Sequence, residues 1–168
     1  LARHGLAPDK AYGQNFLIDR RALAAVAEAA DPPHGARVLE VGPGLGALTR
    51  ALAERGAKVL ALELDARLLP ALHETTDALP NVETRTGDAM RFDHAEMPTG
   101  SYLVSNLPYQ IATALLARAL ESGRYQRIAV LVQREVAERI VARPGDPGFG
   151  AYSLLCQHFA SARIVRDV

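Results

Sequence analysis

Apolar positions along the chain recur at two alternating periods. Leu23, Val26, Ala27 and Ala30 share one helical face, in a segment that Asp19 can cap and that the run Asp31-Pro32-Pro33-His34-Gly35 ends. The short buried-type run Arg37–Val41 reads as a strand. Gly42-Pro43-Gly44-Leu45-Gly46 follows, and then helical spacing through about Arg55, with Gly56 just past the end. Lys58–Leu64 is the next strand, and a helix over Arg67–Thr75 comes after it, its start shortened or bent by Pro70. Asn81–Met90 holds a third strand and a turn, and Tyr102–Asn106 a fourth strand. A helix over 110–121, a strand over 127–133, a helix over 134–142, a Gly/Pro loop over 143–150 and a helix over 151–161 complete the alternation. The terminal Arg163–Val168 reads as one more strand. Strand and helix in alternation predict an α/β fold with a mostly parallel, doubly wound sheet. Residues 1–18 show no period and read as an N-terminal arm, which leaves 19–168 as one domain.

Composition narrows the class without changing the fold. At 168 residues the chain is long enough for one well-buried domain, and 49% hydrophobic with 23% charged residues is ordinary for a globular protein. No apolar run approaches the roughly eighteen residues of a membrane span. The single cysteine, Cys156, excludes an internal disulfide and points to a reducing cytoplasm. With 19 basic and 19 acidic residues the formal charge is zero, which argues against a chain that grips nucleic acid by charge alone. The basic residues are 17 Arg and 2 Lys, a bias that reflects genome composition more than phosphate recognition.

Candidate chemistry collects where strands end. Gly42, Gly44 and Gly46 lie between a strand and a helix, the turn that faces the ligand crevice in open α/β sheets. Gly42 and Gly44, with Ala47, also satisfy the relaxed dinucleotide fingerprint. Glu63, at the end of the second strand, can accept both hydroxyls of a ribose, which suits NAD and S-adenosylmethionine alike. Asp88, after the third strand, can accept an adenine amino group. The fourth strand ends in Asn106-Leu107-Pro108-Tyr109. An exocyclic amine is a poor nucleophile because its lone pair is delocalised into the ring. The Asn106 side-chain carbonyl and the Leu107 backbone carbonyl can accept its two N–H bonds and stabilise the charge that develops as it attacks. Pro108 stiffens the loop, and Tyr109 offers a flat face for an extruded base.

In the arm, Phe16 either anchors the N-terminus or helps it fold over a cofactor, with Asn15 and the Leu17 backbone in contact. The late loop carries Phe149 and Tyr152 beside the expected crevice. The histidines lack metal-ligand spacing and no Ser/His/Asp triad is evident, so neither a metal nor a covalent intermediate is expected.

Taken together, Gly13–Asp19, Val38–Thr49, Leu62–Asp65, Gly87–Met90, Ser105–Thr113, Val132–Ile140 and Phe149–Leu155 resemble the KsgA family of ribosomal RNA adenine dimethyltransferases, in order and over nearly the whole chain. The resemblance implies a Rossmann-like class I methyltransferase domain. It implies transfer of methyl groups from S-adenosylmethionine to N6 of two adjacent adenosines near the 3′ end of small-subunit rRNA, with S-adenosylhomocysteine as product. By motif matching it assigns cofactor contacts to Asn15, Leu17, Gly42, Gly44, Glu63, Asp88 and Asn106. The catalytic loop it assigns is Asn106, Leu107, Pro108 and Tyr109. The implied partner is rRNA within the 30S particle, and the implied form is a cytoplasmic monomer. Leu107 suits the branch that acts on small-subunit rRNA, since the antibiotic-resistance branch usually carries Ile there. The family pattern continues into a last strand and a helical C-terminal domain that the sequence lacks, so weak methylation of rRNA by this chain is expected. An NAD(P)-dependent oxidoreductase, a non-catalytic assembly factor of the same fold and a DNA adenine methyltransferase are the competing readings.

Overall fold

The computed structural model describes residues 20–167. Among the described residues, segments too short for helices become five strands, β1 (Arg37–Val41), β2 (Lys58–Glu63), β3 (Val82–Thr86), β4 (Ser101–Asn106) and β5 (Tyr125–Leu131). Their order is β3-β2-β1-β4-β5, with every neighbouring pair parallel. The order explains the composition of each strand. Inner strands β1, β2 and β4 are covered on both faces and are almost continuously buried. Outer strands β3 and β5 are more exposed and carry Glu83, Arg85, Gln126 and Arg127, side chains that also discourage pairing with another chain.

The described residues also form six α-helices: α1 (Arg20–Ala30) before β1, α2 (Ala47–Glu54), α3 (Leu69–Thr76) and α4 (Ala112–Glu121) between strands, and α5 (Arg134–Val141) and α6 (Ala151–Phe159) after β5. On one face, Leu23, Val26 and Ala27 of α1 and Leu48 and Leu52 of α2 pack over Val38, Val59, Ala61 and Val104. On the other, Leu115, Leu116 and Ala119 of α4 pack over Leu39, Leu60, Leu62 and Leu103. Fully enclosed leucines such as Leu39, Leu52, Leu103 and Leu115 each contribute about 1.5–3 kcal/mol by leaving water. The doubly wound parallel sheet predicted by the alternation is therefore the fold. No described helix is long and apolar enough to cross a membrane.

Local chemistry shifts several element ends. Asp65 accepts the Arg67 N–H at 3.1 Å and caps a single 3-10 turn, Ala66–Leu68, which places Pro70 in the first turn of α3 where its missing N–H costs nothing. The Ile111 N–H reaches the Pro108 carbonyl at 3.2 Å, and this turn delays α4 to Ala112. α2 ends in paired bonds, Gly56 N–H to Ala53 and Ala57 N–H to Leu52, at 2.9 and 3.2 Å, so Gly56 is where the pattern placed it.

One expectation fails. Residues 163–167 form no strand, and Ile164 and Val165 are exposed. Alternation alone does not make a strand; a neighbour must take its backbone groups, and no described strand pairs with this segment.

Candidate active site at the strand ends

From β1 the chain builds β2 and β3 outward on one side, and then returns to place β4 on the other. The helices that follow β1 and β4 therefore cover opposite faces of the sheet, which leaves a crevice at the carboxyl ends of the strands. Asp88 and the glycine loop follow β3 and β1, and Glu63 and Asn106 are the last residues of β2 and β4, so the four groups sit at the ends of neighbouring strands in the order β3-β2-β1-β4. Side chains alternate along each strand. Val38, Val59, Ala61 and Val104 point toward α1 and α2, so Glu40, Glu63 and Asn106 project from that same face.

The glycine loop has a left-handed backbone, with φ of 67° at Gly42, 56° at Gly44 and 80° at Gly46. Space also demands glycine. A Cβ on Gly42 would lie 3.3 Å from Pro108 Cγ, and one on Gly46 would lie 2.7 Å from Thr75 Oγ1 and 2.8 Å from Leu72 Cδ1. The loop left by β1 thus packs directly on the proline of the loop left by β4.

Glu63 is 5% exposed and both its oxygens are engaged, Oε2 by the Gly44 N–H at 3.1 Å and Oε1 by the Asp65 N–H at 3.0 Å. Burial raises its pKa, and the N–H donors of Asp65 and Gly44 oppose the rise. Each carboxylate oxygen can accept a second bond, so a ribose can still be held, but Glu63 also shapes the loop. Asp65 in turn takes a forked pair of bonds from Arg67, both at 2.8 Å. On the neighbouring strand, Glu40 is 2% exposed and its Oε2 finds no hydrogen-bond partner among the described residues. Burial pushes its pKa up to about 8; Thr49 offsets part of this, and the nearby Glu63 adds to it. The Thr49 hydroxyl approaches the carboxyl without completing a bond of good geometry.

At the end of β4, the Ser105 hydroxyl donates to the Val41 carbonyl and ties the ends of β1 and β4 together. Asn106 is half-buried, Leu107 is buried, and its N–H donates to the Leu131 carbonyl at 3.1 Å. Tyr109 then emerges, 43% exposed. Asp88 accepts the Met90 N–H at 2.9 Å and lies 3.7 Å from Arg91, with its side chain still 41% exposed, so it serves a turn and remains accessible. The late loop returns to the same end of the sheet. The Tyr152 hydroxyl donates to the Thr113 carbonyl in the first turn of α4, and Arg139 covers the Tyr152 ring at 5.7 Å. A separate cleft of about 360 Å³, lined by His94, Arg118 and Arg124 among others, lies near the amino-terminal ends of β4 and β5, away from these groups.

A backbone cradle closed to side chains, two buried carboxyls at its wall and an accessible Asp88 suit a nucleoside cofactor with a cationic part. Residues 7–168 match the family described as ribosomal RNA adenine dimethylase. The chain belongs to that family. A protein of Deinococcus radiodurans named ribosomal RNA small subunit methyltransferase A is 49% identical over 168 residues, which are 100% of this chain and 57% of the relative. The protein of the same name in Shouchella clausii is 42% identical over 171 residues, covering 97% of this chain and 58% of its own length. The chain thus spans less than two thirds of these curated relatives. Among solved structures, a dimethyladenosine transferase from Plasmodium falciparum superposes with a TM-score of 0.74 at 27% identity, over 85% of this chain and 52% of that one. The 23S rRNA methyltransferase ErmE superposes with a TM-score of 0.70 at 35% identity, over 76% and 51%.

For this adenine dimethylase family member the structure brings Gly42, Gly44, Glu63, Asp88, Asn106, Leu107, Pro108 and Tyr109 to one end of the sheet. Asn15 and Leu17 lie outside the described residues. Three residues at this end were not singled out from the sequence. Glu40 and Ser105 are hidden inside strand patterns, where nothing marks them as more than buried polar positions. Leu64 is 52% exposed between the buried Glu63 and Asp65 and offers an apolar surface at the crevice. Its signal was present, because an apolar residue between two carboxylates at a strand end has no core to face.

Proposed function

We propose that the strand-end crevice binds S-adenosylmethionine and directs its methyl groups to N6 of two adjacent adenosines near the 3′ end of small-subunit rRNA. The observation that carries this reading is the contact of Pro108 with the glycine loop, 3.3 Å from where a Gly42 Cβ would stand. Through it, the group that would accept the amine and the loop that would hold the donor form one rigid unit, and alignment is the main demand of the reaction.

When bound, the donor's sulfonium supplies the methyl group and leaves as a neutral thioether. The work of the chain is to place the amine. The Asn106 side-chain carbonyl and the Leu107 backbone carbonyl take the two N–H bonds of the adenine amine, which orients its lone pair and stabilises the positive charge developing on nitrogen. Tyr109, exposed beside them, stacks the extruded base. The nitrogen becomes acidic once alkylated, so its proton passes to water without a dedicated base. Glu63 and Asp88 hold the ribose and adenine of the donor, and Leu64 packs on its base. Asn15 and Leu17 complete the donor site from the arm, residues 1–18, and 19–168 form the methyltransferase domain. The partner is rRNA in the 30S particle, and the protein acts as a cytoplasmic monomer.

The test uses small ribosomal subunits from cells that lack the modification, incubated with the protein and methyl-labelled donor. Digestion and mass spectrometry should show N6,N6-dimethyladenosine at the two adjacent sites. Label in DNA but not in the subunits, or calorimetric binding of NAD in place of S-adenosylmethionine, overturns the reading.

A further inference from the structure

Two carboxyls from adjacent strands flank the glycine loop, and they are not equivalent. Glu63 receives two backbone N–H donors, at 3.0 and 3.1 Å, and such donors favour the ionised form. Glu40 is 2% exposed and leaves Oε2 without a partner among the described residues. Two like charges so close and so poorly solvated resist joint ionisation, so one proton belongs to the pair. The two backbone donors make Glu63 the better place for the negative charge, and Glu40, whose burial outweighs what Thr49 offers, the better place for the proton.

Among the described residues, no opposite charge compensates Glu40. From β2 the titratable group facing it is Glu63, with Asp65 just beyond, paired to Arg67. α2 brings the uncharged Thr49, while its Arg50 and Glu54 pair with each other at the surface. β4 places the amide of Asn106 on this face, and α1 keeps Arg21 and Glu28 exposed. On α3, His73 is bonded to Thr84 of β3 at 2.8 Å.

We propose that Glu40 is a proton-linked positioning residue of the donor site: neutral in the free chain, it yields its proton to solvent when a cationic methyl donor occupies the crevice, and recovers one when the neutral thioether product remains. The inference rests on the donor-site reading above. A ligand with net charge +1 supplies the counter-charge that the buried pair lacks, whereas a net-neutral ligand does not. The O–H bond of the Glu40 carboxyl breaks and its proton goes to buffer, with no change in oxidation state. The proton exchange thereby lets the same pocket hold the sulfonium and release the thioether.

Calorimetry at pH 7 in two buffers of different ionisation enthalpy counts protons directly. S-adenosylmethionine should release close to one proton per site and S-adenosylhomocysteine close to none. The affinity for the donor should rise about tenfold from pH 7 to pH 9, as the ionised fraction of Glu40 goes from about one tenth to about nine tenths, with a flat profile for the product. Glu40→Gln, which is neutral at every pH, should abolish both the release and the slope. Equal proton release for the two ligands overturns the proposal, and so does release that persists in the variant, because it then comes from the ligand's amino group. If the variant does not fold, the comparison of the two ligands on the unaltered chain decides alone. Binding of the donor without proton release removes only this inference; binding of neither ligand removes the donor-site reading with it.

Discussion

Three glycines with left-handed backbones differ only in what surrounds them, and that difference separates backbone strain from contact. Gly100 has φ 86° with nothing within 4 Å of a built Cβ, Gly42 has φ 67° with Pro108 Cγ at 3.3 Å, and Gly46 has φ 80° with Thr75 Oγ1 at 2.7 Å and Leu72 Cδ1 at 2.8 Å. Gly100→Ala meets only the left-handed penalty, about 1–2 kcal/mol, reduced by about 0.4–1 kcal/mol because the unfolded chain also loses freedom. Gly42→Ala adds a push of a few tenths of an ångström on Pro108, small in stability but transmitted to Asn106 and Tyr109. Gly46→Ala also overpacks α3, which adds about 1–3 kcal/mol. Denaturant titration should therefore rank Gly46→Ala as the most damaging, with Gly42→Ala near Gly100→Ala. Donor affinity and methyl transfer should reverse the emphasis. Gly42→Ala should lose at least about tenfold in transfer, as misalignment of the amine implies, and Gly100→Ala almost nothing. A Gly46→Ala variant as stable as Gly100→Ala would refute the steric argument. Normal transfer by Gly42→Ala would refute the coupling of the two loops through Pro108.

Asn106→Ala should lower methyl transfer by about 100- to 1,000-fold, the size of losing one preorganised hydrogen-bonding group, with much less change in donor affinity; equal losses by kinetics and calorimetry would contradict its role as amine acceptor. Tyr109→Ala should leave the melting temperature nearly unchanged, because the ring is 43% exposed, while cutting use of the RNA substrate by the equivalent of about 1–3 kcal/mol. Tyr109→Phe should retain most activity, since a stacking face needs no hydroxyl. Glu63→Ala should cost both stability and donor affinity, because it strands the buried N–H groups of Gly44 and Asp65 at about 1–3 kcal/mol each; unchanged unfolding would show that these bonds do not hold the loop.

Much of the architecture was legible in the chain itself. Periodicity is local, so the two repeats, one near 3.6 and one continuous and short, marked helices and strands within a few residues. Glycine at 42, 44 and 46 and the Asn-Leu-Pro-Tyr run marked both sides of the crevice. The terminal segment, Arg163–Val168, carries the same kind of local pattern and yet forms no strand over 163–167. Its pattern is that of a strand, but pairing is supplied by a neighbour and not by the pattern.

What only the tertiary structure decided are relations between residues far apart in sequence. Pro108 meets Gly42 because the sheet reverses its strand order between β1 and β4, and nothing local in either segment encodes that contact. Glu63 spends both oxygens on backbone N–H groups, which its position at a strand end does not reveal. Glu40 sits in a strand buried on both faces, where alternation no longer separates inside from outside. Its character depends on solvent exclusion by β2, α2 and the glycine loop together, and exclusion is a property of the packed molecule.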